Sequence, residues 1–388
     1  MDTAKGLCIL LVVSWHVIWK SYLHIDWGEP GVLGAAWSVF GRSLLPMRMP
    51  LFFLISGMLA TSAVTRKWRV VARDKVAGFG YLYLVWLLVH TAVLFFLPIP
   101  FDTEMARSAG DLIAQATILP TALWYLYGLA LYFVIAKLVR KLPAPLVLAV
   151  AFALSTASAA GWIYSPANNA SLYQNLFFFL AGLYLRPHVE EMARWSSWWQ
   201  VVGTGLSFLV CLVILARFNA MDFPGVWPAT SIVATLFAVL AMAKIARWRT
   251  LRRPLAALGR RTLPIYVMHL PLLAYVHWLL AGVVPGLPGP LRLVLAVVEP
   301  VLLTVALVAT CLAAHHGLVK AGAGWLFAMP VRNRRTTTFT SLEMATEPIP
   351  TILAPRRPDA SEMDDWPTTF LDDIPTTYIR MADTAGVR

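Results

Sequence analysis

Ten long apolar runs, separated by clusters of arginine and lysine, leave this chain few ways to fold. They cover approximately residues 6–23, 33–63, 78–97, 123–139, 144–163, 171–186, 199–217, 227–246, 262–282 and 291–316. About 20 apolar residues in a helix cross the roughly 30 Å of a bilayer's hydrocarbon. A helix is suited to that setting because it satisfies its own backbone N–H and C=O groups without water. Of the 388 residues, 59% are hydrophobic and 13% charged, about half the charged share of a soluble domain. The expected fold is an all-α polytopic integral membrane protein with about ten transmembrane helices. The second run exceeds one span, so it is expected to begin as an interfacial segment, with the true span after Pro50.

Charge assigns the sides. Lys5 and the basic residues that follow spans two, four, six, eight and ten number 22, against six on the other face: Lys20, Arg42, Arg48, Arg107, Arg217 and Arg292. By the positive-inside rule both termini lie in the cytoplasm. The net charge of +12 therefore reads as cytoplasmic loops beside a lipid bilayer, with no nucleic-acid partner. Cys8, Cys211 and Cys311 sit inside apolar runs, with the spacing of neither a disulfide framework nor a zinc site, and are expected to be small core residues. No cleavable signal peptide is expected, since the first run is long enough to span and no small-residue cleavage site follows it. From Thr336 the composition turns to Pro, Thr and Asp, with nine acidic residues against four Arg. This divides the chain into a transmembrane domain, 1–335, and a disordered cytoplasmic tail, 336–388.

Several ionisable residues interrupt the apolar runs. His16 lies ten residues past Gly6, about 15 Å along a helix, and therefore near mid-membrane. Lys5 is eleven residues before it, which returns to nearly the same helix face. An ionisable group at that depth is costly and marks a functional site, unless it only packs between helices and bonds a carbonyl. Span nine repeats the pattern, with Arg260 and Arg261 at its cytoplasmic end, then Tyr266 and His269. Arg48 precedes span two on the outer side, where it either binds a polar ligand or snorkels to headgroups. Ser56 and Gly57 are small enough for close helix packing, and Ser56 is equally a pocket candidate. Trp124 stands at the mouth of span four, where an interfacial belt explains it as well as a pocket does. Glu299, near the start of span ten, either orients a histidine or ends a hydrogen-bond network. His90, His315 and His316 lie near span ends, where interfacial exposure accounts for them.

Five stretches in order resemble the membrane acyltransferase family 3. They are Asp2-x-x-Lys-Gly6 with His16, Met49-Pro-Leu-Phe-Phe-x-x-Ser-Gly57, Leu123-Trp-Tyr-Leu126, Phe178-Phe-Leu-x-Gly182, and Leu258-Gly-x-x-Thr-Leu-Pro-Ile-Tyr-x-x-His269. The first is similar to the branch of fucose 4-O-acetylase-like proteins. Lys5 stands where many members carry Arg, and the extracytoplasmic esterase-like domain of some members has no counterpart here. The resemblance implies an O-acyltransferase with no bound cofactor. Its co-substrate would be cytoplasmic acyl-CoA, most commonly acetyl-CoA. Its acceptor would be a hydroxyl of a bacterial envelope carbohydrate or glycolipid, at the plasma membrane. His16 would be catalytic. An imidazole, with an unperturbed pKa near 6.5, suits removal of a hydroxyl proton near neutral pH. Lys5, Arg260 and Arg261 would hold donor phosphates. Arg48, Ser56, Trp124, Tyr266, His269 and Glu299 would form an acceptor or structural pocket. The competing reading is a proton-coupled transporter or lipid flippase relaying protons through His16, His269 and Glu299; another is a non-catalytic membrane scaffold.

Reporter fusions check the topology. Among fusions after Lys75, Arg107, Arg261 and Arg335, only the one after Arg107 should report outside, and an outside signal after Arg335 overturns the arrangement. Truncation after Arg335 should leave acyl transfer by the purified protein nearly intact, because the tail carries none of the matched stretches.

Overall fold

The computed structural model describes residues 1–28, 31–98, 101 and 103–330, and among these the chain is helical with no strand. The expected tail, 336–388, lies outside the described residues. In chain order the helices are α1 (Asp2–Lys20), α2 (Val32–Ser43), α3 (Leu45–Thr65), α4 (Trp68–Val71), α5 (Gly78–Phe95), α6 (Ala109–Thr117), α7 (Trp124–Val139) and α8 (Ala144–Ala159). They continue as α9 (Asn169–Tyr184), α10 (Arg186–Arg194), α11 (Trp198–Phe218), α12 (Val226–Ile245), α13 (Arg249–Gly259), α14 (Thr262–Val283) and α15 (Gly289–Lys320). Seven helical stretches are long and apolar enough to cross a membrane: Asp2–His24, Val32–Thr65, Trp68–Phe95, Trp198–Phe218, Val226–Ile245, Thr262–Gly286 and Gly289–Lys320. The other three expected spans fall on α7, α8 and α9, each 16 residues and about 24 Å long.

Two expectations need correction. The second apolar run breaks at Leu44, and Pro50 lies inside α3. Pro46 explains the position of the break. It has no N–H to continue the α2 ladder and fits the first turn of a new helix, where the N–H groups of Met47 and Arg48 donate to Leu44 O. The basic run before span three is also helical: α4 passes through a π-helical stretch, Ala72–Ala77, into α5.

Backbones touch at two glycine pairs. A Cβ on Gly57 of α3 would lie 1.9 Å from Phe179 O, and one on Gly182 of α9 would lie 2.0 Å from Leu54 O. A Cβ on Gly6 would lie 1.9 Å from Leu255 O, and one on Gly259 would lie 1.9 Å from Asp2 O. Small residues allow this approach, which in a bilayer replaces hydrophobic exclusion with close van der Waals packing. The first pair locks α3 to α9; the second locks the start of α1 to α13.

Prolines inside two spans leave carbonyls without an intrahelical partner, and neighbouring helices supply one. Pro271 cannot bond Val267 O, and His90 Nε2–H of α5 donates to it at 2.8 Å. Pro300 cannot bond Ala296 O, and the Tyr22 hydroxyl after α1 donates to it at 2.9 Å. An unsatisfied carbonyl in the hydrocarbon costs several kcal/mol, roughly, so each bond fixes both helix register and kink. His90 is accordingly buried and structural, not interfacial as its place in the sequence suggests.

Gly57→Val or Gly182→Val should lower the thermal midpoint of the purified protein in detergent, because overpacking costs about 1–3 kcal/mol. Gly203→Ala, where nothing lies within 4 Å of an added Cβ, should melt as wild type. Equal melting of all three variants would rule out the backbone crossing of α3 and α9.

Candidate active site

The buried middle of α1 carries His16 into a cavity of about 530 Å³. Its wall includes Val12, Trp15 and His16 of α1 and Tyr266 and Leu270 of α14. Arg48, Met49 and Pro50 of α3 close one side, and Gln174, Asn175 and Phe178 of α9 close another. Trp124, Trp227, Phe101, Thr103 and Glu104 line it towards the Lys20 end of α1. The cavity therefore adjoins the end of the bundle away from Lys5.

Hydrogen bonds assign the imidazole tautomers. His269 Nδ1 lies 2.7 Å from Tyr266 O and 3.1 Å from Ile265 O, and carbonyls only accept, so this nitrogen carries the proton. His269 Nε2 is then a lone pair. His16 Nδ1 lies 2.8 Å from Val12 O and 3.3 Å from His269 Nε2, so it is also an N–H, shared between two acceptors. The two rings meet edge on, with centroids 4.9 Å apart. With Nδ1 engaged on the protein side, His16 Nε2 carries the lone pair. A substrate hydroxyl needs such an acceptor if the imidazole is to take its proton.

Arg48 is 7% exposed, and its guanidinium carbon lies 4.4 Å from the centroid of the Trp15 ring. The ring face stabilises the cation. Nε and Nη1 have no hydrogen-bond partner among the described residues, and neither does Asn175 Oδ1 on the opposite wall. Leaving buried polar groups unbonded costs about 1–3 kcal/mol each, a cost the wall carries at three atoms packed out of reach of the open space.

The remaining sequence candidates divide into four groups. Trp124 and Tyr266 line the cavity, and His269 supports it from behind through His16. Ser56 lies in a network behind that wall: its Oγ is 2.8 Å from both Phe52 O and the Tyr125 hydroxyl. The Tyr125 backbone N–H in turn donates to the Tyr266 hydroxyl at 3.2 Å. Glu299 is buried in α15 outside the cavity lining, with both carboxyl oxygens unpartnered among the described residues. It touches neither histidine through any hydrogen bond described here. Lys5 is 6% exposed at the opposite end of α1 and pairs with Asp2 at 2.8 Å. The Gly259–Asp2 crossing brings exposed Arg260 and Arg261 to that same end.

Sequence reasoning missed much of the polar wall. Asn168, Ser171, Gln174 and Asn175 line the cavity, and their signal is a polar run, 168–175, leading into the start of span six. Trp15, next to His16, was read only as part of the apolar run. Trp227 gave no signal beyond an aromatic at a span entrance.

No solved structure matches this chain. Over 160 residues it is 32% identical to the inner membrane protein YcfT of Escherichia coli (strain K12), a match covering 38% of this chain and 45% of that protein. The chain thus spans less than half the length of this curated relative. A family model described as an acyltransferase domain matches residues 1–316, which hold every helix of the cavity wall and both histidines. The chain belongs to this acyltransferase family, and it is a multi-pass membrane member of it.

Proposed function

We propose that the protein is a membrane O-acyltransferase that moves an acyl group, acetyl in the first instance, from cytoplasmic acyl-CoA to a hydroxyl of an envelope carbohydrate or glycolipid. The bare Nε2 of His16, in a cavity also lined by Arg48 and Asn175, carries this reading. The protein would sit in a bacterial plasma membrane with ten spans and both termini in the cytoplasm, as its basic residues divide.

The chemistry follows from these groups. His16 Nε2 takes the acceptor hydroxyl proton as the oxygen attacks the thioester carbonyl carbon. The resulting imidazolium keeps its Nδ1–H bonds to Val12 O and His269 Nε2. Negative charge gathers on the carbonyl oxygen, and the Arg48 guanidinium in the cavity wall would stabilise it. Collapse breaks the carbon–sulfur bond, and the departing thiolate receives the proton from His16. The products are the ester and the free thiol of coenzyme A. His269 is a positioning residue: its Nδ1–H bonds to Tyr266 O and Ile265 O hold Nε2 as an acceptor for His16. Arg260 and Arg261, with Lys5 behind them, would attract donor phosphates at the other end of α1, about 16 Å from His16.

Steady-state kinetics on folded, detergent-solubilised variants test this. His16→Ala should lower kcat by about 10²–10⁴-fold while insertion and folding persist. Lys5→Ala should raise KM for acyl-CoA and leave turnover at saturating donor, and Lys5→Arg should retain most function. Wild-type turnover by His16→Ala would remove the catalytic assignment and make His269 the better candidate base.

Arg48 separates charge from geometry. Arg48→Ala should cut kcat by about 10²–10³-fold, the usual cost of one lost oxyanion donor. Arg48→Lys should recover only part of it, because an ammonium cannot present two fixed N–H groups. A change confined to the acceptor KM would instead give Arg48 a role in acceptor binding.

A further inference from the structure

A second space of about 530 Å³ adjoins the His16 cavity and differs from it chemically. Its walls are mostly apolar: Leu212, Leu215 and Ala216 of α11, Val39 of α2 and Pro46 of α3. Leu212, Leu215, Ala216 and Asn219 fall at i, i+3, i+4 and i+7, one stripe of a helix that is largely exposed in the described structure. Arg42 is the one charged residue of the lining. The two spaces share Trp15, Leu45 and Trp227 as walls. Along that boundary runs a ladder: Arg42 over Trp19 at 5.0 Å, Trp19 stacked on Trp15 at 6.3 Å, and Trp15 under Arg48 at 4.4 Å. One end of the ladder faces the apolar groove and the other faces the catalytic candidate.

We propose that this groove seats the lipid anchor of the acceptor: an alkyl chain lies along the α11 stripe, an anionic phosphate linkage meets Arg42, and the sugar reaches past Trp15 to His16. The inference rests on the acyl-transfer reading and narrows its acceptor to a lipid-phosphate-linked sugar entering sideways from the bilayer. Two observations favour this occupant. The groove is continuous with the polar cavity through shared walls, so one amphiphile can fill both. Its lone charged group is a cation, which complements a phosphate. A donor acyl chain, running past His16 away from its phosphates, is the competing occupant, and competition by palmitoyl-CoA separates the two.

Photo-crosslinking of the full chain in phosphatidylcholine nanodiscs tests the groove without requiring turnover. The probe is hexadecyl phosphate with a diazirine at the chain terminus, compared with the uncharged hexadecanol probe. Saturable labelling of the α11 stripe and Trp227 is expected, displaced by excess unlabelled hexadecyl phosphate but not by palmitoyl-CoA. Ala216→Trp, which fills the groove, should reduce that labelling on the order of tenfold. Arg42→Gln should weaken the phosphate probe about tenfold, the value of one charge-assisted contact, and leave the hexadecanol probe unchanged. Val213→Trp, off the stripe, should label as wild type. Non-saturable labelling spread around α11 would show ordinary bilayer contact, and displacement by palmitoyl-CoA would make the groove a donor acyl site; either overturns the proposal. His16→Ala should keep full labelling. Loss of acyl transfer and loss of the lipid subsite are therefore read separately.

Discussion

The shared N–H of His16 Nδ1 is the contact on which the site depends. It binds Val12 O within α1 and His269 Nε2 across the helix interface. Because His269 is itself fixed by two carbonyls of α14, the lone pair of His16 is directed away from the protein. In water an imidazole exchanges tautomers freely. In a dry bundle the partners choose, since each wrong tautomer would set a lone pair against a carbonyl oxygen. The bundle must therefore hold α1 and α14 in register to within a fraction of a turn.

That register comes from features not themselves catalytic. Pro271 lies in α14 just past His269, and the carbonyl it frees is held by His90 of α5. Pro300 does the same for α15, whose freed carbonyl is held by Tyr22 at the end of α1. Gly6 and Gly259 set the other end of α1 by direct backbone contact with α13. Helix α1 is thus held near both ends, with His16 between. Two of the stretches that carry the family resemblance, Asp2–Gly6 and Leu258-Gly259, owe part of their pattern to this crossing as well as to any chemistry.

The charges fall into two sets for a physical reason. Arg48 is buried against Trp15, whose ring face offsets part of the cost of taking the cation out of water. Lys5, also buried, is already neutralised by Asp2, while Arg260 and Arg261 remain exposed beside it. The first arrangement suits stabilisation of charge that develops during a reaction. The second suits electrostatic attraction of a charged donor to one face of the bundle.

The sequence by itself determined the helical class and the places of the helices that, among the described residues, are long and apolar enough to cross a membrane. Apolar run length and local charge are one-dimensional quantities, and a bilayer acts on them directly. It also pointed to Gly57 as a packing residue, because small residues let membrane helices come close. Tertiary structure alone decided what each polar residue does. His16 and His269 are 253 residues apart, and only the α1–α14 contact makes them a pair. His90 became a structural donor because Pro271 lies across from it, and Ser56 went behind the cavity wall because Tyr125 takes its hydroxyl. Asn175 joined the site through the turn of α9 that faces Arg48. Hydrogen bonds and close contacts of this kind depend on distance and direction between helices, and neither is written in the order of residues along one of them.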